Sequence, residues 1–338
     1  MNGYGYTPSK TFPDGISHSS HETNEIMPLS PALIPFLGQV NAANASRRAR
    51  GYIHTPTNVR ESLDFMTRRF VTRAPDIAFI RDSYVEPGKG GDYRVPVRIY
   101  HPKPEEALPV AVFAHGGGHM AGSVSLYERI ARKLALAANR VLVSVEYRLA
   151  PECPYPAGLT DLETVWRGVF RELDRLGLRH GDGLTVMGDS GGAAITAGAV
   201  HRLGDVPEID HQVLIYPSLD YTMNQRSYEE VGEGYLLETD RVGWYFDQYF
   251  QHGEDRRAVS PLYMPLPRRV PRTLVVTAQY DPLRDEGRAY VDRLRAAGFH
   301  AVHMHLEDMP HAFLNLEDLV PDACSRTYSG ITEFLSGQ

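Results

Sequence analysis

The chain has 338 residues, 42% of them hydrophobic and 23% charged, which is enough for one large core or for one core with an appendage. Its formal net charge of −7, without blocks of Lys or Arg, excludes nucleic acid and an anionic membrane surface as main partners and leaves small neutral molecules open. The N-terminus lacks a basic region followed by an apolar stretch, no apolar run reaches spanning length, and the cysteines are Cys153 and Cys324, so a soluble cytoplasmic protein with two reduced thiols is expected.

Residues 1–30 are rich in Gly, Pro, Ser, Thr and Asn and show no apolar period, so they are expected to wrap or fray. SPALIPFLGQVNAANASRRA and TNVRESLDFMTRRFV read as two short amphipathic helices, the second capped by Asn58 with Leu63, Met66 and Phe70 on one face. FIRDSYVE and YRVPVRIYHP flank a PGKGGD turn and predict a β-hairpin. PVAVFAH, RVLVSVEY, LTVMGD, QVLIYP, RTLVVTA and HAVHMHLE then read as strands. Between and after them lie helix-period segments: LYERIARKLALAAN, LTDLETVWRGVFRELDRL, AAITAGAVHRL, RDEGRAYVDRLRAAG and CSRTYSGITEFLS. Near-continuous apolar strands alternating with amphipathic helices imply a doubly wound α/β fold with a mostly parallel sheet covered on both faces. Residues 220–260 break the alternation with a dense aromatic set. There Thr239 or Asp240 is expected to cap a helix through WYFDQYF, and the stretch could join the N-terminal helices as a cap over one edge of the sheet.

In an open α/β sheet, ligands sit at the carboxyl ends of the strands. Ser190, in VMGDSGGAA, stands where a strand turns sharply into a helix. Asp281 follows RTLVVTAQY and His311 follows HAVHMHLE, so the chain order is Ser, Asp, His, each after a different strand. A serine hydroxyl is a poor nucleophile unless an imidazole takes its proton, and the imidazole needs a carboxylate to fix its tautomer. Gly188 and Gly192 suit a strained elbow in which strand and helix pass closely. The glycines of FAHGGGHMAGS at 116–118, together with Gly191, offer backbone N–H groups for an oxyanion.

Other readings are weaker. The glycine loop lacks the lysine and spacing of a phosphate cradle. Asp285 and Glu286 open the next helix, where carboxylates favour the dipole. Asp189 is expected to point away from the reacting atoms, His115 to brace the glycine loop, and Glu146, Arg148 and Asp161 to tie loops together. His303 and His305 share a strand face, but no recognisable ligand set completes a metal site, so neither metal nor organic cofactor is expected. Met120, Tyr221, Leu237 and Trp244 are candidates for the acyl or alcohol pocket.

With HGGG at 115–118, YRLAPE at 147–152, PYPAGLTDL at 154–162, GDSGG at 188–192, DPLRDEG at 281–287 and PHAF around His311, the chain resembles the hormone-sensitive-lipase-like α/β-hydrolases, which include many bacterial carboxylesterases. The resemblance implies Ser190 as nucleophile, His311 as base, Asp281 as orienting acid, and oxyanion donors from Gly117, Gly118 and Gly191. Gly191 departs from the alanine that family usually carries, although a backbone donor survives. The implied division is an N-terminal cap segment over 1–75, a hydrolase core over 76–219 and 261–338, and a cap insertion over 220–260. A short-chain carboxylesterase without cofactor is expected. An amidase or lactonase with the same triad, or a catalytically silent ligand-binding relative, stays open, as does a homodimer, which no residue decides.

Overall fold

The computed structural model describes residues 27–88, 93–204 and 209–337. The expectation for residues 1–30 therefore falls mostly on residues 1–26, and the tip of the predicted hairpin on residues 89–92; both lie outside the described residues. A short turn of 3-10 helix at Pro31–Leu33 leads into α1 (Ile34–Ala49), and α2 (Pro56–Phe70) follows. Helix α2 is capped by Thr55 rather than Asn58. The Thr55 hydroxyl accepts from the Asn58 amide at 3.3 Å, and Asn58 Oδ1 accepts from the Thr55 amide at 3.0 Å. Pro56, whose fixed φ suits the first helical position, moves the start upstream of the expected cap.

The hairpin is present: β1 (Phe79–Val85) and β2 (Val95–His101) pair antiparallel, Phe79 opposite His101 and Val85 opposite Val95. The other strands are β3 (Leu108–Ala114), β4 (Val141–Val145), β5 (His180–Asp189), β6 (Ile209–Ile215), β7 (Arg272–Tyr280) and β8 (Ala301–Pro310). They form one 8-stranded sheet in the order β1-β2-β4-β3-β5-β6-β7-β8, parallel from β4 to β8. The connections carry α3 (Glu128–Ala138), α4 (Ala157–Arg175), α5 (Gly191–Leu203), the short α6 (Ser227–Glu230), α7 (Thr239–Tyr249), α8 (Arg256–Val259) and α9 (Arg284–Ala296), and α10 (Pro321–Ser336) closes the chain.

Side-chain alternation explains the two-sided core. On β3, Val110, Val112 and Ala114 pack in the layer that holds α4 and α5, whereas Ala111 and Phe113 pack in the layer that holds α3 and α10. Helix α4 buries Leu159, Leu162, Val165, Trp166, Val169 and Leu173, a stripe at helical spacing, and each such side chain contributes about 1.5–3 kcal/mol. The doubly wound α/β reading thus holds. Helix α7 begins at Thr239, with Glu238 in the capping position and making no side-chain cap bond. Thr239 is no cap, because its hydroxyl donates to the Tyr228 carbonyl at 2.7 Å. Both cysteines are free thiols, Cys324 buried and Cys153 half-buried.

Candidate active site

Strands β3, β5, β7 and β8 end on one edge, and the residue or loop that follows each of them meets there. At the end of β5 the chain turns into α5 through Ser190, whose φ of 52° and ψ of −122° are a strained conformation for a residue with a side chain. The turn is tight because α5 runs close to β3: a Cβ on Gly192 would lie 2.1 Å from the Ala114 carbonyl oxygen, and one on Gly188 would lie 2.5 Å from the Gly192 carbonyl. Ser190 Oγ and His311 Nε2 are 2.9 Å apart. His311 Nδ1 and Asp281 Oδ2 are 2.8 Å apart, and the other Asp281 oxygen accepts from the Leu283 amide at 2.8 Å. The His311 and Asp281 side chains are both buried. The structure therefore brings the three expected residues together from three segments.

The glycine loop closes the other side of Ser190. Gly117 and Gly118 have φ of 129° and 62°, and among the described residues the amides of Gly117, Gly118 and Gly191 donate to no protein acceptor. The Gly116 amide is different, since it donates to Asp189 Oδ1 at 2.7 Å. Asp189 does point away from Ser190: its other oxygen meets the hydroxyls of Tyr127 and Tyr216 at 3.3 and 3.4 Å. Burial pushes its pKa up to about 7, against the lowering effect of the Gly116 amide. His115 is fully buried between the Tyr127 and Tyr147 rings, with centroids 5.4 and 4.6 Å away, and burial lowers its pKa to about 4. It braces the loop as a neutral ring, with Nδ1 2.9 Å from the Gly116 carbonyl.

A serine hydroxyl within hydrogen-bond reach of an imidazole, beside amides that among the described residues donate to no protein acceptor, is an arrangement suited to acyl transfer. A family model described as the alpha/beta hydrolase fold matches residues 111–315. The chain belongs to the α/β hydrolases. The carboxylesterase NlhH of Mycobacterium tuberculosis is 34% identical over 255 residues, covering 72% of this chain and 79% of that protein. The ethyl acetate hydrolase of Pseudomonas putida is 30% identical over 241 residues, covering 68% of this chain and 75% of that protein. The hyperthermophilic esterase of the archaeon Pyrobaculum calidifontis superimposes with a TM-score of 0.80 at 33% identity, over 92% of this chain and 99% of that one. These relatives place the hydrolase in the hormone-sensitive-lipase-like branch.

In this hydrolase a cavity of about 970 Å³ opens from Ser190 and runs between α1, α2 and α7. Of the four expected pocket residues, Leu237 lines it. Met120, Tyr221 and Trp244 do not. Met120 is fully buried in the core because the loop folds back through its amide, which donates to the Gly117 carbonyl at 3.2 Å. Tyr221 is held edge-on by Phe246 and Phe250, with ring centroids 5.1 and 4.8 Å away. Trp244 turns toward His54, at 5.7 Å between centroids. Tyr245 takes the place expected of Trp244: its ring covers Gly118, where a Cβ would meet it at 2.7 Å. The signal was in the helix phase. Val242, Phe246 and Tyr249 form the buried stripe of α7, and at about 100° per residue Tyr245 flanks that stripe while Trp244 lies nearly opposite.

The remaining candidates are structural ties. Asp285 accepts from the Ser227 amide at 3.0 Å, and Glu286 accepts from the Leu219 amide at 2.8 Å and the Tyr228 hydroxyl at 3.3 Å, so both anchor the 219–228 segment to α9. Arg148 pairs with Asp161 at 2.7 Å, and Glu146 accepts from the Val124 amide at 2.8 Å. His303 and His305 each lie 2.8 Å from the Thr277 hydroxyl, and burial first lowers the pKa of both. Among the described residues no group of three or more His, Cys, Asp or Glu is arranged to hold a metal ion, and no helix is long and apolar enough to cross a membrane.

Proposed function

We propose that this chain is a serine carboxylesterase in which Ser190 attacks the ester carbonyl, His311 moves the proton and Asp281 orients the imidazole. The observation that carries it is the line of contacts from Ser190 Oγ through His311 to Asp281, at 2.9 and 2.8 Å. A proton on Nδ1, held by the carboxylate, leaves the Nε2 lone pair facing the serine hydroxyl, the arrangement a general base requires. The proton taken from Ser190 is returned to the departing alcohol, and a water activated by the same imidazole then releases the acid from the acyl-enzyme. Gly117, Gly118 and Gly191 donate to the oxyanion, each amide being worth about 2.7–4 kcal/mol in the transition state. The relatives' action on carboxylic esters supports the reading.

The finer reading is a preference for short acyl chains. The ethyl acetate hydrolase among the relatives and the Tyr245 ring over Gly118 support it. The described part of residues 1–75 and residues 220–260 would act together as the cap, with α1, α2 and α7 forming the cavity wall around the hydrolase core of 76–219 and 261–338. The test is stopped-flow release of p-nitrophenol from p-nitrophenyl butyrate. The wild type should give a burst and turnover, Ser190→Ala neither, and the laurate ester a lower kcat/KM than the butyrate. Turnover by Ser190→Ala at the wild-type rate would remove the nucleophile from the mechanism.

A further inference from the structure

The cavity wall carries four arginines, Arg47, Arg48, Arg69 and Arg241, against three carboxylates, Asp189, Glu238 and Asp240. In a chain of net charge −7 this is a local reversal of sign. Arg48 is matched by Glu238 at 3.2 Å, Asp240 is exposed, and Asp189 is turned toward the Gly116 amide. Arg241 stands apart. Among the described residues its side chain makes no ion pair or hydrogen bond, and, unlike the exposed Arg69, it has a buried Nε without an acceptor. A desolvated guanidinium N–H left unpaired is costly unless something accepts from it.

Its position sharpens the point. Arg241 is the third residue of α7, where a cation opposes the helix dipole, and Glu238 supplies no side-chain cap to the free amides there. His54, also in the wall, has its pKa lowered by burial and then by Arg241; Glu238 raises it, and Arg47 and Arg48 lower it. Arg241 and Tyr245 are i, i+4 neighbours, and Tyr245 covers Gly118. Arg241 therefore stands about one helical turn, roughly 6 Å along the α7 axis, before the residue whose ring covers the glycine loop.

We propose that the cavity takes esters bearing a carboxylate on the end remote from the scissile bond, and that Arg241, in the wall it shares with Arg47, binds that carboxylate. The planar fork of a guanidinium matches a carboxylate in two parallel hydrogen bonds, which would satisfy the buried Nε and offset the unfavourable charge at the start of α7. The inference rests on the esterase reading above.

Two matched pairs of esters test it. In 4-carboxyphenyl butyrate against its methyl ester the charge lies on the alcohol side; in monoethyl suberate against diethyl suberate it lies on the acyl side. The quantity read is the ratio of kcat/KM for the charged member to that for the neutral one. In at least one pair, Arg241→Gln should lower this ratio about tenfold or more, Arg241→Lys should lower it less, and added salt should lower it in the wild type. Turnover of the neutral member reports that each variant is folded. A ratio that neither substitution moves in either pair overturns the proposal and leaves the esterase reading standing. A wild-type protein that turns over no neutral ester overturns both.

Discussion

Asp189 accepts a 2.7 Å hydrogen bond from the Gly116 amide, so the residue before Ser190 holds the start of the glycine loop. The bond is fully buried and spans two strand ends, β5 and β3. Asp189→Ala would leave that N–H without an acceptor, which costs about 1–3 kcal/mol and frees the loop that carries the Gly117 and Gly118 amides. Asp189→Asn keeps an acceptor oxygen for Gly116 and offers its amide to the Tyr127 and Tyr216 oxygens. The expected outcome is a lower Tm and a kcat reduced more than KM for Asp189→Ala, with most of both recovered in Asp189→Asn. Thermal unfolding and steady-state kinetics on the pair check it; equal losses in both variants would remove the hydrogen bond from the explanation.

The same carboxyl gives a pH dependence with a defined sign. Burial raises its pKa from 3.8 to about 7 in the folded state. Between those values the native state holds more protons than the unfolded state, so stability contributed by this group falls as pH rises through that window and is level above it. This is the reverse of a salt-bridged carboxylate. Denaturant unfolding of the wild type and Asp189→Asn across the window should show the difference between them moving in favour of Asn as pH rises. A difference independent of pH would mean that Asp189 does not titrate there.

Much of the fold and the three central residues were legible because their signals are local. The strand ends before Ser190, Asp281 and His311 are each marked by an apolar run and a break, and a parallel sheet forces such ends onto one edge. What was not legible depends on direction. Met120, Tyr221 and Trp244 suit a pocket by residue type, but whether a side chain enters a cavity depends on the phase of α7 and on the return of the 117–121 loop, which only packing fixes. The cap of α2 fell at Thr55 because a reciprocal pair with Asn58 satisfies two free groups where Asn58 alone would satisfy one. Arg241 carries no mark in the sequence, since an unpaired charge is visible only once its neighbours are known.

Gly191 stands where the glycine loop approaches α5. A Cβ there would lie 2.9 Å from the His119 amide nitrogen and 3.3 Å from that of Gly118, closer than backbone atoms tolerate without moving. Gly191→Ala should therefore push the loop outward by a few tenths of an ångström and misplace Gly117 and Gly118, the proposed oxyanion donors. Because the oxyanion forms only in the transition state, the loss should fall on kcat, by about tenfold, with KM nearly unchanged. Steady-state kinetics on p-nitrophenyl butyrate decide it. A kcat equal to that of the wild type would mean that the loop retreats without cost and that this close approach plays no part in the rate.

Helix α2 reaches the His311 turn through a buried hydrogen bond, Asn315 Nδ2 donating to Thr67 Oγ1 at 3.0 Å. Backbone bonds reinforce it next door, where the Asp318 amide donates to the Phe70 carbonyl at 2.8 Å. Asn315 follows His311 closely and its Oδ1 already lacks a partner among the described residues, so loss of the Thr67 hydroxyl would also take away the acceptor that its Nδ2 meets on α2. Thr67→Val, nearly equal in shape, should cost about 1–3 kcal/mol for the stranded donor, and Thr67→Ser should restore most of it by returning the hydroxyl. The local effect should exceed the global one: amide exchange in α2 and in residues 312–316 should speed up in Thr67→Val at temperatures where the sheet stays protected. If the valine variant unfolds at the wild-type Tm with unchanged exchange in α2, the helix is held by its apolar face alone, and the hydroxyl contributes nothing to docking it against the His311 turn.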